Sequence, residues 1–72
     1  MDYRKRIRDL REDHDLTQAA VAAVLGTSQT MYARYERGAS ELLIRHLVRL
    51  ADLYGVSTDY LLCRTVRKTP KP

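Results

Sequence analysis

Three residues punctuate the stretch LTQAAVAAVLGTSQTMYARYERG, from Leu16 to Gly38, and they leave it little choice of fold. Thr17 and Ser28 carry side-chain oxygens that accept from the unpaired N–H groups opening a helix. Between them Gly26 takes the left-handed backbone that ends a helix, at no steric cost because it lacks a Cβ. The spacing predicts one helix over 18–25 and a second over 29–36, joined by a tight turn. Helices this short are marginal alone, so they must pack. Val21, Val24 and Leu25 recur at helical spacing on the first, and Met31, Tyr32 and Tyr35 offer an apolar side on the second. Ala22, one turn before the glycine, is small enough for the second helix to cross closely. The outer face of that second helix carries Gln29, Thr30, Ala33, Arg34 and Arg37, and Glu36 is its one acid.

The rest of the chain reads as support. Seventy-two residues suffice for one domain with a small core. Tyr3, Ile7, Leu10 and His14 are spaced for a helix over about 2–13. Leu16, just outside the Thr17 cap, is placed to pack back as a staple. A fourth helix is predicted over about 42–54 with Leu43, Leu47, Leu50, Ala51 and Tyr54 inward. Gly55 ends it, Val56 re-enters the core, and Ser57 caps a last helix over about 58–63, with Tyr60 and Leu61 inward. The expected organisation is all-α, with a five-helix domain over 1–63 and a disordered basic tail over 64–72.

Charge is uneven along the chain. Nine basic and nine acidic side chains balance between Met1 and Cys63, so the net charge of +4 belongs to Arg64, Arg67, Lys68 and Lys71. Any positive surface on the domain must therefore come from segregation of its charges. The single cysteine, Cys63, has no partner for an internal disulfide, and no apolar run approaches a membrane span, which points to a reducing cytoplasmic setting. His14 and His46 read as surface histidines, and no His/Cys cluster has ligand spacing, so neither a metal site nor a cofactor is expected. Serine and threonine are concentrated at caps, no glycine loop cradles phosphate, and an enzyme is not expected.

Gln18, Ala22, Gly26, the apolar position at Tyr32 and the closing Tyr35-Glu36-Arg37-Gly38 resemble the helix-turn-helix of the Xre-like family, the phage Cro and lambda-repressor type regulators. The resemblance runs from about Ile7 to Leu62, through LADLYGVSTDYLL. It implies a compact five-helix lambda-repressor-like DNA-binding domain whose recognition helix, about 29–36, enters the major groove of double-stranded DNA. It further implies that Arg11 pairs with Glu36 and fixes that helix. For base contacts it points to Gln29, suited to adenine, Thr30, suited to a thymine methyl, and Arg34, suited to guanine. Gln18, Thr27, Tyr32, Arg37 and Ser40 are the candidate phosphate contacts. A homodimer on a near-palindromic operator is implied as well, with Val56, Thr58 and Leu62 as candidate contacts. The expected role is a transcriptional regulator, most simply a repressor that occupies a promoter.

The chain departs from the family in three places. Ala20 stands where a glutamate often completes the capping box, no proline opens the fourth helix near Leu43, and the loop after Gly38 lacks the lysines some relatives carry. The tail is a candidate source of the missing charge. Two other readings use the same residues differently: a protein-interaction module using the apolar Leu42 to Ile44 run, and nonspecific nucleic-acid binding by the tail.

Overall fold

Each helix begins at a side chain able to cap it, with one exception. In a computed structural model that describes residues 2–68, the order is α1 (Tyr3–Asp13), α2 (Gln18–Leu25), α3 (Gln29–Arg37), α4 (Ile44–Tyr54) and α5 (Thr58–Leu61), with no strand among the described residues. Asp2 accepts from the N–H groups of Arg4 and Lys5, Thr17 from Ala20, Ser28 from Met31 and Ser57 from Tyr60. Each bond satisfies a donor that the helix itself leaves open. The exception is α4, whose N-cap Leu43 makes no side-chain cap bond.

That exception accounts for the later start of α4. The backbone of Leu43 is extended, with ψ at 144°, so the helical period does not reach back to it and its side chain is 42% exposed instead of inward. Val24 also faces outward, 41% exposed. At about 100° per residue, a stripe centred on Val21, Ala22 and Leu25 leaves Val24 roughly 100° away, and the crossing of α3 falls on Ala22 instead. At the other end of the chain α5 stops at Leu61, and Cys63 turns left-handed with φ 62°.

The core is built where the helices meet. Ile7 and Leu10 of α1, Val21, Ala22 and Leu25 of α2, Tyr32 and Tyr35 of α3, Leu50, Ala51 and Tyr54 of α4, Val56 and Leu61 form one buried cluster. Leu16, Met31, Leu42, Leu47, Leu53 and Tyr60 pack against its margin. Tyr60 is only half-buried, with the Arg6 guanidinium 4.0 Å from its ring centroid, a cation–π contact. α2 and α3 pack most extensively on each other, α1 lies against α3 and α5, and α4 lies against α2 and α5. No described helix is long and apolar enough to cross a membrane.

His46 is a correction to the sequence reading. It is 3% exposed, on the inward side of α4 one turn before Leu50. Its spacing was in phase with the core stripe, but its polarity hid it. Past α5, Arg64 pairs with Asp59 at 3.5 Å and the Lys68 carbonyl accepts from the Ser57 N–H at 2.7 Å. The remainder of the expected tail, 69–72, lies outside the described residues.

Candidate nucleic-acid interface

α3 is held from inside by three side chains, Tyr32, Tyr35 and Glu36. Tyr32 and Tyr35 are fully buried and meet edge to face with ring centroids 6.4 Å apart. The Tyr35 hydroxyl bonds His46 Nδ1 at 2.7 Å, tying the last turn of α3 to α4. Burial, reinforced by the nearby charges of Arg45 and Arg49, holds the His46 imidazole below its ordinary pKa. A neutral ring is the form that accepts from Tyr35.

Glu36 is the third anchor. Arg11 grips it with both arms of its fork, Nε to Oε2 at 2.8 Å and Nη2 to Oε1 at 3.1 Å, in a pair whose side chains are 14% and 6% exposed. Gln18 Nε2 donates to Oε1 at 3.1 Å and the Tyr32 hydroxyl to Oε2 at 2.5 Å. Arg11 Nη1 also donates to the Leu16 carbonyl at 3.0 Å, so one guanidinium joins α1, the turn before α2 and α3. Burial by itself would raise the carboxyl pKa of Glu36. The bonds from Arg11, Tyr32 and Gln18 outweigh it, and the group sits below its ordinary value. Tyr54 lies near this cluster with its hydroxyl buried and without a hydrogen-bond partner among the described residues. Burial and the Glu36 charge push its phenol up to about 12.

The outer face contrasts with this. Gln29, Thr30, Arg34 and Arg37 are exposed on α3, and its N-terminus follows directly on the half-buried Thr27. Arg34 folds over the end of the helix, its Nε donating to Ser40 Oγ at 2.9 Å. The αL cap at Gly38, with φ 79°, turns the chain so that Ser40 reaches that position. Gln29 and Thr30 have the exposure and position that a groove-reading pair requires. Between α1, α2 and the second half of α3 an open cleft of about 380 Å³ is lined by Arg8, Arg11, Gln18, Ala33, Glu36 and Arg37.

Two of the candidate residues are placed elsewhere than the sequence suggested. Tyr32 cannot touch a phosphate: its ring is buried and its hydroxyl is spent on Glu36, because a tyrosine four residues before a buried carboxylate on a helix stacks directly over it. Val56 is part of the core, as its place after Gly55 predicted, and so is not available as the dimer contact it was also a candidate for. Gln18 is also committed inward, through its amide nitrogen. Thr58 is half-buried and Leu62 is 40% exposed, the latter beside a shallow hollow shared with Tyr3, Glu41, Leu42 and Leu47. Arg4 and Arg8 were missed as members of this surface. Their i, i+4 spacing, continued by Arg11, was the available signal.

Comparison with known proteins agrees with this geometry. The family model described as Helix-turn-helix matches residues 7–61, from the first core residue of α1 to the end of α5. An HTH-type transcriptional regulator of Bacillus subtilis, YobD, is 39% identical over 96% of this chain and 62% of its own length. The transcriptional repressor RstR of a cryptic phage CTXphi in Vibrio cholerae is 37% identical over 75% of this chain and 49% of its own. Among solved structures, the P22 c2 repressor in complex with a synthetic operator superposes with a TM-score of 0.80 at 31% identity, covering 86% of this chain and 94% of that one. The chain belongs to the helix-turn-helix family of Xre-type transcriptional regulators. It spans about half to three-fifths of the length of these two curated relatives. The same unit also matches about a third of the hydroxypropylphosphonic acid epoxidase chain from S. wedmorenis, at TM-score 0.73, so the fold alone does not specify what surrounds it.

Proposed function

We propose that this chain binds double-stranded DNA in a sequence-specific way through α3 in the major groove, and that it regulates transcription as a repressor by occupying a promoter. The observation that carries the reading is the division of α3. Its inner side is locked to α1, α2 and α4, while its outer side presents Gln29, Thr30 and Arg34 with no acid among them. Gln29 has the paired donor and acceptor that fit adenine, Arg34 the fork that fits guanine, and Thr30 a methyl for thymine. Arg34 reaches a base by leaving Ser40, a single exposed bond of small net worth. Thr27, Arg37 and Ser40 flank the helix as backbone contacts, joined by the N–H groups opening α2 at Gln18.

A short helix reads few base pairs, and a second copy doubles the site. In the proposed homodimer Thr58 and Leu62 contribute to the contact, and the recognition helices lie about 34 Å apart on a near-palindromic operator. The P22 c2 repressor, solved on a synthetic operator, supports the DNA part of this reading. Selection from a random duplex library at near-physiological salt tests it. Enrichment of an inverted repeat is the expected result. Retention without sequence preference, or no retention, overturns it and directs attention to the exposed Leu43 and Ile44 as a protein-binding surface.

A further inference from the structure

The loop that follows α3 is poor in cations. Ala39, Ser40, Glu41, Leu42 and Leu43 contain none, and the Arg34 guanidinium bonds to Ser40 and to the Ala39 carbonyl. Phosphate contacts nonetheless dominate the affinity of DNA-binding domains, so a domain of zero net charge needs its cations gathered on the correct side. The geometry gathers them on α1. Arg8 lines the cleft together with Arg37, Gln18 and Glu36. Neither the Arg8 nor the Arg37 side chain makes a hydrogen bond or an ion pair among the described residues, whereas Lys5 on the same helix is tied to Asp9 at 2.7 Å. Three arginines against one glutamate leave the cleft positive, and the Glu36 charge is already matched by Arg11.

One turn earlier, Arg4 lies across Gly38. A Cβ on Gly38 would collide with the Arg4 guanidinium and Cδ, so the glycine that ends α3 also makes room for this side chain. Arg4 Nη2 is held by Asp2 Oδ2 at 2.7 Å, which leaves other donors of the five-donor fork unspent. Arg4 and Arg8 are therefore two exposed cations on one stripe of α1, one at the Gly38 end of α3 and one beside Arg37. A four-residue step is about 6 Å along a helix. That reach covers different phosphates of one strand, which follow each other every 3.4 Å or so of duplex axis.

We propose that α1 is a second DNA-backbone element, in which Arg8 and Arg37 hold one phosphate at the cleft between α1 and α3 and Arg4 holds a neighbouring phosphate past Gly38. The inference rests on the DNA-binding reading and adds to it a helix outside the helix-turn-helix. It assigns to Arg4 and Arg8 the work that the cation-poor loop cannot do.

The test measures affinity of the full chain for its selected duplex from about 50 to 200 mM salt, the range over which phosphate contacts dominate. Arg8→Gln and Arg4→Gln are each expected to lower the log-log salt slope by about 0.9, which makes the affinity drop across that range about 3-fold smaller per contact removed. Affinity falls equally on selected and unrelated duplexes, the enriched sequence stays the same, and Arg8→Lys keeps the slope. Lys5→Gln, whose ammonium is already occupied by Asp9, leaves it unchanged. Thermal melting of each variant is expected to match the parent chain, since both arginines are exposed. Unchanged slopes in both arginine variants, with the parent still selecting its sequence, overturn the role of α1 and leave the DNA reading intact. An equal change in Lys5→Gln overturns it as well, since bulk charge then suffices. Absence of duplex binding by the parent chain overturns both.

Discussion

The two faces of α3 are built to opposite rules. On the inner face Tyr32, Tyr35 and Glu36 are buried or nearly so, and each is hydrogen-bonded to another group: Glu36 to α1 and α2, Tyr35 to α4, Tyr32 to Glu36. On the outer face Gln29, Thr30 and Arg37 are exposed, and Arg34 has only the Ser40 loop. A nine-residue helix has little stability of its own, so its orientation has to be set by what it packs on. The contrast teaches that precision on the outer face is supplied by polar bonds on the inner one. Apolar packing alone would locate α3; the bidentate Arg11–Glu36 pair and the directional Tyr35–His46 bond also fix its rotation.

The most damaging way to break the contrast is from beneath. Arg11→Ala leaves the Glu36 carboxylate buried with only Gln18 and Tyr32 as donors, and breaking a buried pair from one side costs about 3 to 5 kcal/mol. Denaturant unfolding is expected to report that loss, a large share of what so small a domain has. Tyr35→Phe removes one hydroxyl and leaves His46 Nδ1 buried without its partner. About 1 to 3 kcal/mol of stability is expected to go, by the same measurement.

On the outer face, Arg34→Ala is expected to leave the melting temperature nearly unchanged and to weaken operator binding by about 1 to 3 kcal/mol, with relaxed preference at one base pair. Titrations against operators altered at each position check this. A uniform loss on every duplex would move Arg34 among the backbone contacts.

The smallest effect sharpens the comparison by pH. His46 has a folded pKa below its ordinary value of 6.5, so as pH falls through 6.5 the unfolded chain takes up a proton that the folded chain refuses. Stability is full above that window and declines beneath it, by at most about 1.4 kcal/mol per pH unit for one group. Glu36, also depressed, adds a second decline below its ordinary 4.5, as protonation dismantles the Arg11 pair. Urea midpoints between about pH 8 and 2.5 are expected to drop in that order, and His46→Gln is expected to remove the first stage while leaving the second.

Much of this was legible in the chain. The caps at Thr17, Ser28 and Ser57 and the αL turn at Gly26 depend on one residue and its immediate neighbours, so they could be read directly. The exposed identity of Gln29, Thr30 and Arg34 followed from the phase of a helix whose other side is apolar. Val24 and Leu43 were misread because a helical period does not say where the stripe is centred or where the helix begins, and both depend on the partner helix and the backbone at the cap. His46 was misread by type, since a buried imidazole is tolerable only once Tyr35 is brought beside it. Arg4 and Arg8 passed unnoticed because a charged residue on a mixed helix has no meaning until the opposite surface is known.

Local chemistry thus determined, from sequence alone, which segments are helices, where three of the turns fall and which side chains α3 holds out to solvent. Those outcomes rest on backbone dihedrals and hydrogen bonds between residues at most four or five apart. Only the tertiary structure decided that Tyr32 belongs to the Glu36 cluster instead of the surface, that His46 is buried against Tyr35, and that the arginines of α1 stand beside the end of α3. Each depends on packing between helices: Glu36 is buried only where Arg11 and Gln18 close over it, and the energy comes from desolvation and charge pairing that exist only after the helices have packed.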